Sequence, residues 1–83
     1  MDDALRRRLT EAVDLALGGD WQAAHLIAQD HEEERLANWL HAIVHRMEGD
    51  LGNAQYWYRR CGRATTEQQP IDAELRLIRE KLA

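Results

Sequence analysis

Apolar residues recur at intervals of three and four positions along most of the chain, which is the spacing of one face of an α-helix. Four such stripes are Leu5, Leu9, Ala12, Val13, Ala16 and Leu17; Leu36, Leu40, Ile43, Val44 and Met47; Ala54, Trp57, Tyr58 and Cys61; and Ile71, Leu75, Ile78 and Leu82. No stretch has the alternation of apolar and polar residues that predicts a half-buried strand. The pattern therefore predicts an all-α protein with about five helices.

Two short hinges divide the first four helices into pairs. Gly49-Asp50 separates the third and fourth helices, and Gly19-Asp20 separates the first and second. Glycine adopts the left-handed conformation that ends a helix, and aspartate accepts hydrogen bonds from the free amides that begin the next one. Pairs related by an offset of 30 are Gly19 and Gly49, Asp20 and Asp50, Ala24 and Ala54, Ala12 and Ala42, Val13 and Ile43, and Leu17 and Met47. The chain is thus predicted to contain two copies of one helical hairpin.

We predict a single helical-repeat domain over residues 1–83, since a chain of this length supports one small core. Hairpin 1 covers about residues 3–33 and hairpin 2 about residues 34–63, with their junction inside residues 31–35. A loop over residues 62–69 leads to a helix over about residues 70–83, with Pro70 as its first residue. Stacked repeats need a cap at the end of the array, and this last helix is predicted to be that cap.

Composition narrows the class of protein without identifying it. The formal net charge is −4 and both signs are mixed along the chain, so nucleic acid and anionic membranes are not expected partners. One cysteine cannot form an internal disulfide, and no apolar run approaches the roughly 20 residues that span a bilayer. No charged and apolar leader opens the chain, so we expect a cytoplasmic protein. No cofactor is expected, and self-association is compatible with the small size.

Residues 49–60, GDLGNAQYWYRR, resemble the second half of a tetratricopeptide-type repeat, and more closely its Sel-like relatives with a Trp-Tyr pair before basic residues. The positions that match the repeat are Gly49, Ala54, Tyr58 and Cys61. In the first copy Gly19 and Ala24 match, whereas Ala28 and His31 stand where an aromatic and a small residue are expected. The longer block over residues 37–60 is similar to that of small bacterial proteins. The resemblance implies a right-handed stack of two hairpins with a terminal cap.

A polar face on the third helix carries one candidate chemistry. His41 and His45 are four residues apart and Glu48 follows one turn later, so two imidazoles and a carboxylate share a face that could hold zinc. A third strong ligand would have to come from His25, His31 or Asp50. The zinc-protease signature would place glutamate at position 42, where this chain has alanine.

The competing interpretation of this face is that the histidines are structural. The apolar stripe places His41 and His45 opposite the core, whereas the tetratricopeptide register places them at packing positions. A helix enclosed on all sides would bury both of them.

A second candidate site consists of Trp39, Tyr56, Arg60 and Arg63. An aromatic residue flanked by arginines is typical of an interaction hot spot. The alternatives are that Tyr56 packs beneath the capping helix while the arginines pair with nearby carboxylates, or that the cluster stacks on RNA bases. We favour a small protein–protein interaction or scaffolding module, whose partner is another protein or a second copy of the chain. The alternative function is a metal-binding protein or metal-dependent enzyme that uses His41, His45 and Glu48.

Overall fold

The computed structural model describes residues 1–64 and 69–83, and these contain five helices and no strand. The helices are α1 (Asp3–Leu17), α2 (Trp21–Ala28), α3 (Arg35–Glu48), α4 (Leu51–Arg60) and α5 (Ile71–Leu82). This confirms the predicted all-α class with about five helices. Residues 65–68 of the predicted loop over residues 62–69 lie outside the described residues. None of the five helices combines the length and the apolar composition needed to cross a membrane.

The two predicted hinges have the same local structure. Gly19 and Gly49 both lie in the left-handed region, with φ of +92° and +90°. The carboxylates of Asp20 and Asp50 each accept a hydrogen bond of 3.2 Å from the backbone N–H three residues later. The stop and start signals predicted at each hinge are therefore confirmed, and they divide α1 from α2 and α3 from α4.

The other helix boundaries have weaker sequence signals. Helix α3 begins at Arg35, inside the predicted junction, and the side chain of Glu34 does not cap it. Pro70 occupies the N-cap position of α5, one residue before the first helical residue, so its predicted place was wrong by one position.

Helix α3 lies at the centre of the fold and packs against α2, α4 and α5. Its residues from Ala37 to His45 are all buried, including Leu40, Ile43 and Val44 of the predicted stripe. Because neighbours cover the helix on more than one side, the face opposite the stripe is buried as well. The structure therefore agrees with the interpretation that His41 and His45 occupy packing positions.

Helix α5 packs against α1 of the first hairpin as well as α3 of the second. A helix that only capped a stack would contact the last hairpin alone. Arg79 on α5 pairs with Asp14 on α1 at 2.8 Å, and Leu75, Ile78 and Leu82 supply the buried face of the helix. The Cα radius of gyration is 11.2 Å, close to the ~12 Å expected for a compact chain of this length. Helix α5 thus closes one globule across both hairpins.

Glu74 has a different position from the one that the sequence predicts. Its charge predicts a place on the polar side of α5, but its side chain is only 1% exposed. It accepts four hydrogen bonds, from Arg46 (2.6 Å), Trp39 Nε1 (2.8 Å), Tyr58 Oη (2.9 Å) and the backbone N–H of Gln69 (3.0 Å). Burial raises the pKa of the Tyr58 hydroxyl, an effect that Arg46 opposes and Glu74 reinforces. The Glu74 carboxylate therefore joins α3, α4 and α5 in one polar network within the core.

Candidate functional site

Three histidines from two helices converge beside α4. His25 comes from α2, and His41 and His45 come from successive turns of α3. The Nε2 atoms of His25 and His41 are 3.1 Å apart, and the ring centroid of His45 lies 4.9 Å from that of His41 and 5.2 Å from that of His25. One nitrogen from each ring lies within 4.8 Å of the other two. We refer to His25, His41 and His45 as the histidine cluster.

The spacing of the cluster is close to that of metal ligands. Two nitrogens bound at about 2.0–2.1 Å to one tetrahedral zinc ion are about 3.3–3.4 Å apart. The separation of 3.1 Å between His25 and His41 is already near this value. A nitrogen of His45 lies within 4.8 Å of the other two, and binding the same ion requires it to lie about 3.3–3.4 Å from each. The cluster can thus supply three nitrogen ligands to one ion.

Glu48 contacts His45 and lies beside the cluster. Its Oε1 accepts a hydrogen bond of 2.5 Å from His45 Nδ1, which leaves Nε2 of the same ring free for an ion. Histidine ligands commonly donate their second ring nitrogen to a carboxylate in this way, and the contact fixes both the tautomer and the ring orientation. The predicted set of His41, His45 and Glu48 is therefore brought together, with Glu48 in position to orient a ligand. His25 supplies the third nitrogen.

The other two proposed third ligands have different surroundings. The carboxylate of Asp50 accepts hydrogen bonds from the backbone and the side chain of Asn53, as expected of an N-cap. His31 lies outside the histidine cluster, with its Nδ1 atom 3.8 Å from Glu33. Of the three candidates, His25 alone is placed against both His41 and His45.

The surroundings of His25 and His41 favour uncharged imidazoles. The pKa of His41 is lowered to about 3, mainly by burial and to a smaller extent by the neighbouring His25, His45 and Arg60. Burial also lowers the pKa of His25, with His45 acting in the same direction and Glu48 against it. Neutral rings keep the nitrogen lone pairs that metal ions require. Both of these histidines are therefore prepared as ligands at neutral pH.

One ring nitrogen of the cluster is fully buried and has no hydrogen-bond partner in the described part of the chain. His41 is 4% exposed, and its Nδ1 atom is buried without a donor or acceptor among residues 1–64 and 69–83. The contact with His25 engages only Nε2 of this ring. Hydrogen bonding within the described part of the chain thus leaves the tautomer of His41 unfixed.

A stack of side chains connects the cluster with the surface of α4. The indole of Trp57 lies on the His41 ring at a centroid distance of 3.7 Å and an interplanar angle of 12°. The guanidinium of Arg60 lies 4.8 Å from the Trp57 ring centroid and 5.9 Å from that of Tyr56. Tyr56 is 46% exposed, so the predicted alternative in which it packs beneath the last helix is wrong. Tyr56 and Arg60 therefore form one exposed group at the outer end of the stack.

Trp39 and Arg63 are placed differently from Tyr56 and Arg60. Trp39 is only 2% exposed, its Nε1 atom donates to Glu74, and the Arg63 guanidinium covers its ring at 3.7 Å. The prediction that Trp39 is a surface residue for a partner is therefore wrong, because α5 encloses this side chain. The four residues of the predicted partner site thus divide into an exposed pair and a separate stacked pair.

Cys61 is a packing residue, as its position in the helical pattern predicts. Its side chain is 2% exposed and its thiol donates to the backbone oxygen of Tyr58. Burial raises the pKa of this thiol, which reduces the fraction of reactive thiolate.

Comparison with known proteins adds no relative from which a role could be transferred. No protein-family model, curated protein or solved structure matches the chain. The assignment of function therefore depends on the geometry of the sites.

Proposed function

We propose that this protein binds a divalent transition-metal ion through His25, His41 and His45. The observation that carries the proposal is the 3.1 Å approach of Nε2 atoms from two different helices, with His45 beside both. Imidazole nitrogens suit Zn²⁺, Cu²⁺ and Ni²⁺, whereas Mg²⁺ and Ca²⁺ prefer oxygen ligands. Three protein ligands would leave a further position for water or another small ligand. In this proposal Glu48 orients His45 and is not itself a ligand.

A purely structural role explains less of the geometry. Contact between two histidine rings satisfies one nitrogen of each, while Nδ1 of His41 remains buried without a partner in the described part of the chain. An apolar side chain at position 41 would pack on Trp57 without that cost, because unsatisfied buried polar groups are destabilising. An ion bound at Nε2 of His41 would leave this Nδ1 unpaired, but its coordination would compensate for that cost and for the placement of three imidazoles in one partly buried site.

Removing one cluster histidine is expected to weaken Zn²⁺ binding at least about tenfold, since the loss of even an outer-sphere contact costs 10–100-fold. Wild-type protein and the His25→Ala variant would be titrated with Zn²⁺, with the histidine side-chain resonances followed by NMR. Simultaneous saturation of the His25, His41 and His45 signals at one equivalent is the expected wild-type result.

His31→Ala is the matched control, because His31 lies outside the histidine cluster and is only partly buried. It should bind Zn²⁺ as the wild type does. Equal affinity in wild-type and His25→Ala protein would contradict the proposed site. Glu48→Ala separates the roles of ligand and orienting group, since it should weaken binding while leaving the same three histidine signals responsive.

The exposed pair on α4 supports a second candidate function, a surface that binds another protein or a second copy of this chain. Tyr56 is 46% exposed and Leu51, at the start of the same helix, is 62% exposed. Arg60 holds its guanidinium near the Tyr56 ring and pairs with Glu32 at 3.0 Å. An exposed aromatic ring beside an ordered arginine is the composition that dominates binding energy at protein interfaces.

The Tyr56→Ala/Arg60→Ala double variant is expected to lose association without unfolding. A weakening of about tenfold or more is expected if these are hot-spot residues. Self-association would be measured by sedimentation over a range of concentrations, and partner binding by affinity capture from cell extract. The control is Gln55→Ala/Arg59→Ala, which alters two exposed residues of the same helix. Equal association by both double variants would reject this surface.

A further inference from the structure

A cavity on the opposite side of α3 from the histidine cluster is lined by basic side chains. It has a volume of about 250 Å³, and its lining includes Arg35, Arg63 and Lys81, together with Trp39 and Gly62. No aspartate or glutamate of the described residues lines it. The whole chain carries a net charge of −4, so a cavity in which all the charged side chains among the described residues are basic is contrary to the overall balance of charge.

The basic side chains that line this cavity are ones without a carboxylate partner among the described residues. Five of the eleven arginine and lysine side chains pair with carboxylates, namely Arg6, Arg8, Arg46, Arg60 and Arg79. Six others have no carboxylate partner in residues 1–64 and 69–83, and three of those six line this one cavity. Like charges repel, so placing them together is unfavourable unless an anion lies between them.

The ends of the nearby helices do not neutralise these charges. The carboxyl ends of α4 and α5 each contribute roughly −0.5 charge, and the amino end of α3, at Arg35, contributes roughly +0.5. Against three full positive charges, these partial charges leave the described residues of the cavity with a net charge of roughly +2.5. The excess corresponds to a dianion better than to a monoanion.

One of the arginines is held in place by packing, and a second lies close to Gly62. The Arg63 guanidinium lies 3.7 Å above the Trp39 ring, and Trp39 is itself fixed by its hydrogen bond to Glu74. The Arg35 guanidinium approaches Gly62, where an added Cβ would lie 3.8 Å from its nearest nitrogen. A guanidinium held by stacking keeps its N–H groups free for two parallel hydrogen bonds to an oxyanion.

We infer that this cavity binds the phosphate group of a small molecule, either inorganic phosphate or a phosphate monoester. The volume of about 250 Å³ accommodates such a group and excludes a large nucleotide. Recognition would come from Arg35 and Arg63 as forked donors, with Lys81 as a third cation. The inference is independent of the proposed metal site, because the two sites share no residue.

The test is a titration of ¹⁵N-labelled protein with inorganic phosphate, and separately with glycerol phosphate, at constant ionic strength in resin-treated, metal-free buffer. Backbone signals of Gly62 and Arg63 and the arginine Nε–H signals should shift and saturate. Tighter binding of glycerol phosphate would identify an organic monoester as the ligand class, and tighter binding of inorganic phosphate would identify the free ion.

The variant for this test is Arg35→Gln/Lys81→Gln, because both residues are exposed and the packed Arg63 is retained. It should weaken phosphate binding about tenfold or more, because it removes two cations that would donate charge-assisted hydrogen bonds to the anion. The control is Arg59→Gln/Arg76→Gln, which removes the same charge at exposed positions outside the cavity. Shifts that fail to saturate, or an equal loss in both double variants, would overturn the inference.

Discussion

Replacing Glu74 by alanine is expected to lower the free energy of unfolding by about 3–5 kcal/mol, the usual cost of removing one partner of a buried ion pair. The Arg46 guanidinium, the Trp39 indole N–H and the Tyr58 hydroxyl would lose their shared acceptor, and the Arg46 side chain is only 15% exposed. A domain of this size has a total stability of about 4–12 kcal/mol. The variant should therefore be largely unfolded under mild denaturing conditions, as urea titration followed by circular dichroism would show.

Two further variants make the result specific to the buried carboxylate. Glu74→Gln retains an acceptor for Trp39 and Tyr58 but removes the charge opposite Arg46, so an intermediate loss is expected. Glu80→Ala changes an exposed glutamate on the same helix and should alter stability by less than about 0.5 kcal/mol. If Glu74→Ala were as stable as Glu80→Ala, the network would not contribute to folding.

Lowering the pH of the metal-free protein from 7 to 4 is expected to reduce stability by about 3 kcal/mol through His41 alone. The pKa of His41 is lowered from 6.5 to about 3 by burial, so the unfolded chain binds a proton there before the folded chain does. The contribution of His41 to the free energy of unfolding is fully present above pH 6.5 and is lost as the pH falls toward 3. Acid thus destabilises the folded protein, and the lowered pKa of His25 acts in the same direction.

The His41→Phe variant separates this effect from the titration of carboxylates. Phenylalanine keeps an aromatic ring against Trp57 but has no titratable group. Between pH 7 and pH 4 the variant should therefore lose about 3 kcal/mol less stability than the wild type. The quantity to compare is the difference between the two urea unfolding curves at pH 7 and at pH 4. Parallel loss of stability in wild type and variant would show that His41 is not responsible.

Short-range signals in the sequence predict most of the helices. Gly19 and Gly49 adopt the left-handed conformation, and Asp20 and Asp50 cap the following helices, because backbone geometry at a hinge depends mainly on the residues in it. The start of α3 has no such residue, since Glu34 makes no cap, and its position could be predicted only within a few residues. Local chemistry thus determines where the hairpins turn.

Burial that depends on distant neighbours could not be predicted in the same way. The charge of Glu74 predicts a place on the polar side of α5, yet its partners Trp39, Arg46 and Tyr58 lie 16 to 35 residues earlier. Helical period identifies the driest side of one helix and does not show how many neighbours enclose it. The burial of Trp39 beneath α5 has the same origin.

The candidate metal site could be predicted in part. The spacing of His41, His45 and Glu48 places them on one face of α3, and the structure retains that arrangement. His25 lies 16 residues earlier than His41 on another helix, and its approach depends on the packing of α2 against α3. The available signal was its position directly after Ala24, the small buried residue that repeats as Ala54. That signal indicates close packing without naming the neighbour.

The pairing of Asp14 with Arg79 joins residues 65 positions apart, whereas each hairpin forms from contacts within about one repeat. Closing so long a loop has an entropic cost that is paid only once, when α5 docks. The two hairpins can form rapidly from local contacts, but the core around Trp39 and Glu74 is completed only by this final, long-range event. Because α2 also packs directly on α3, the two hairpins of this chain of 83 residues are joined at two places, and we expect them to unfold together.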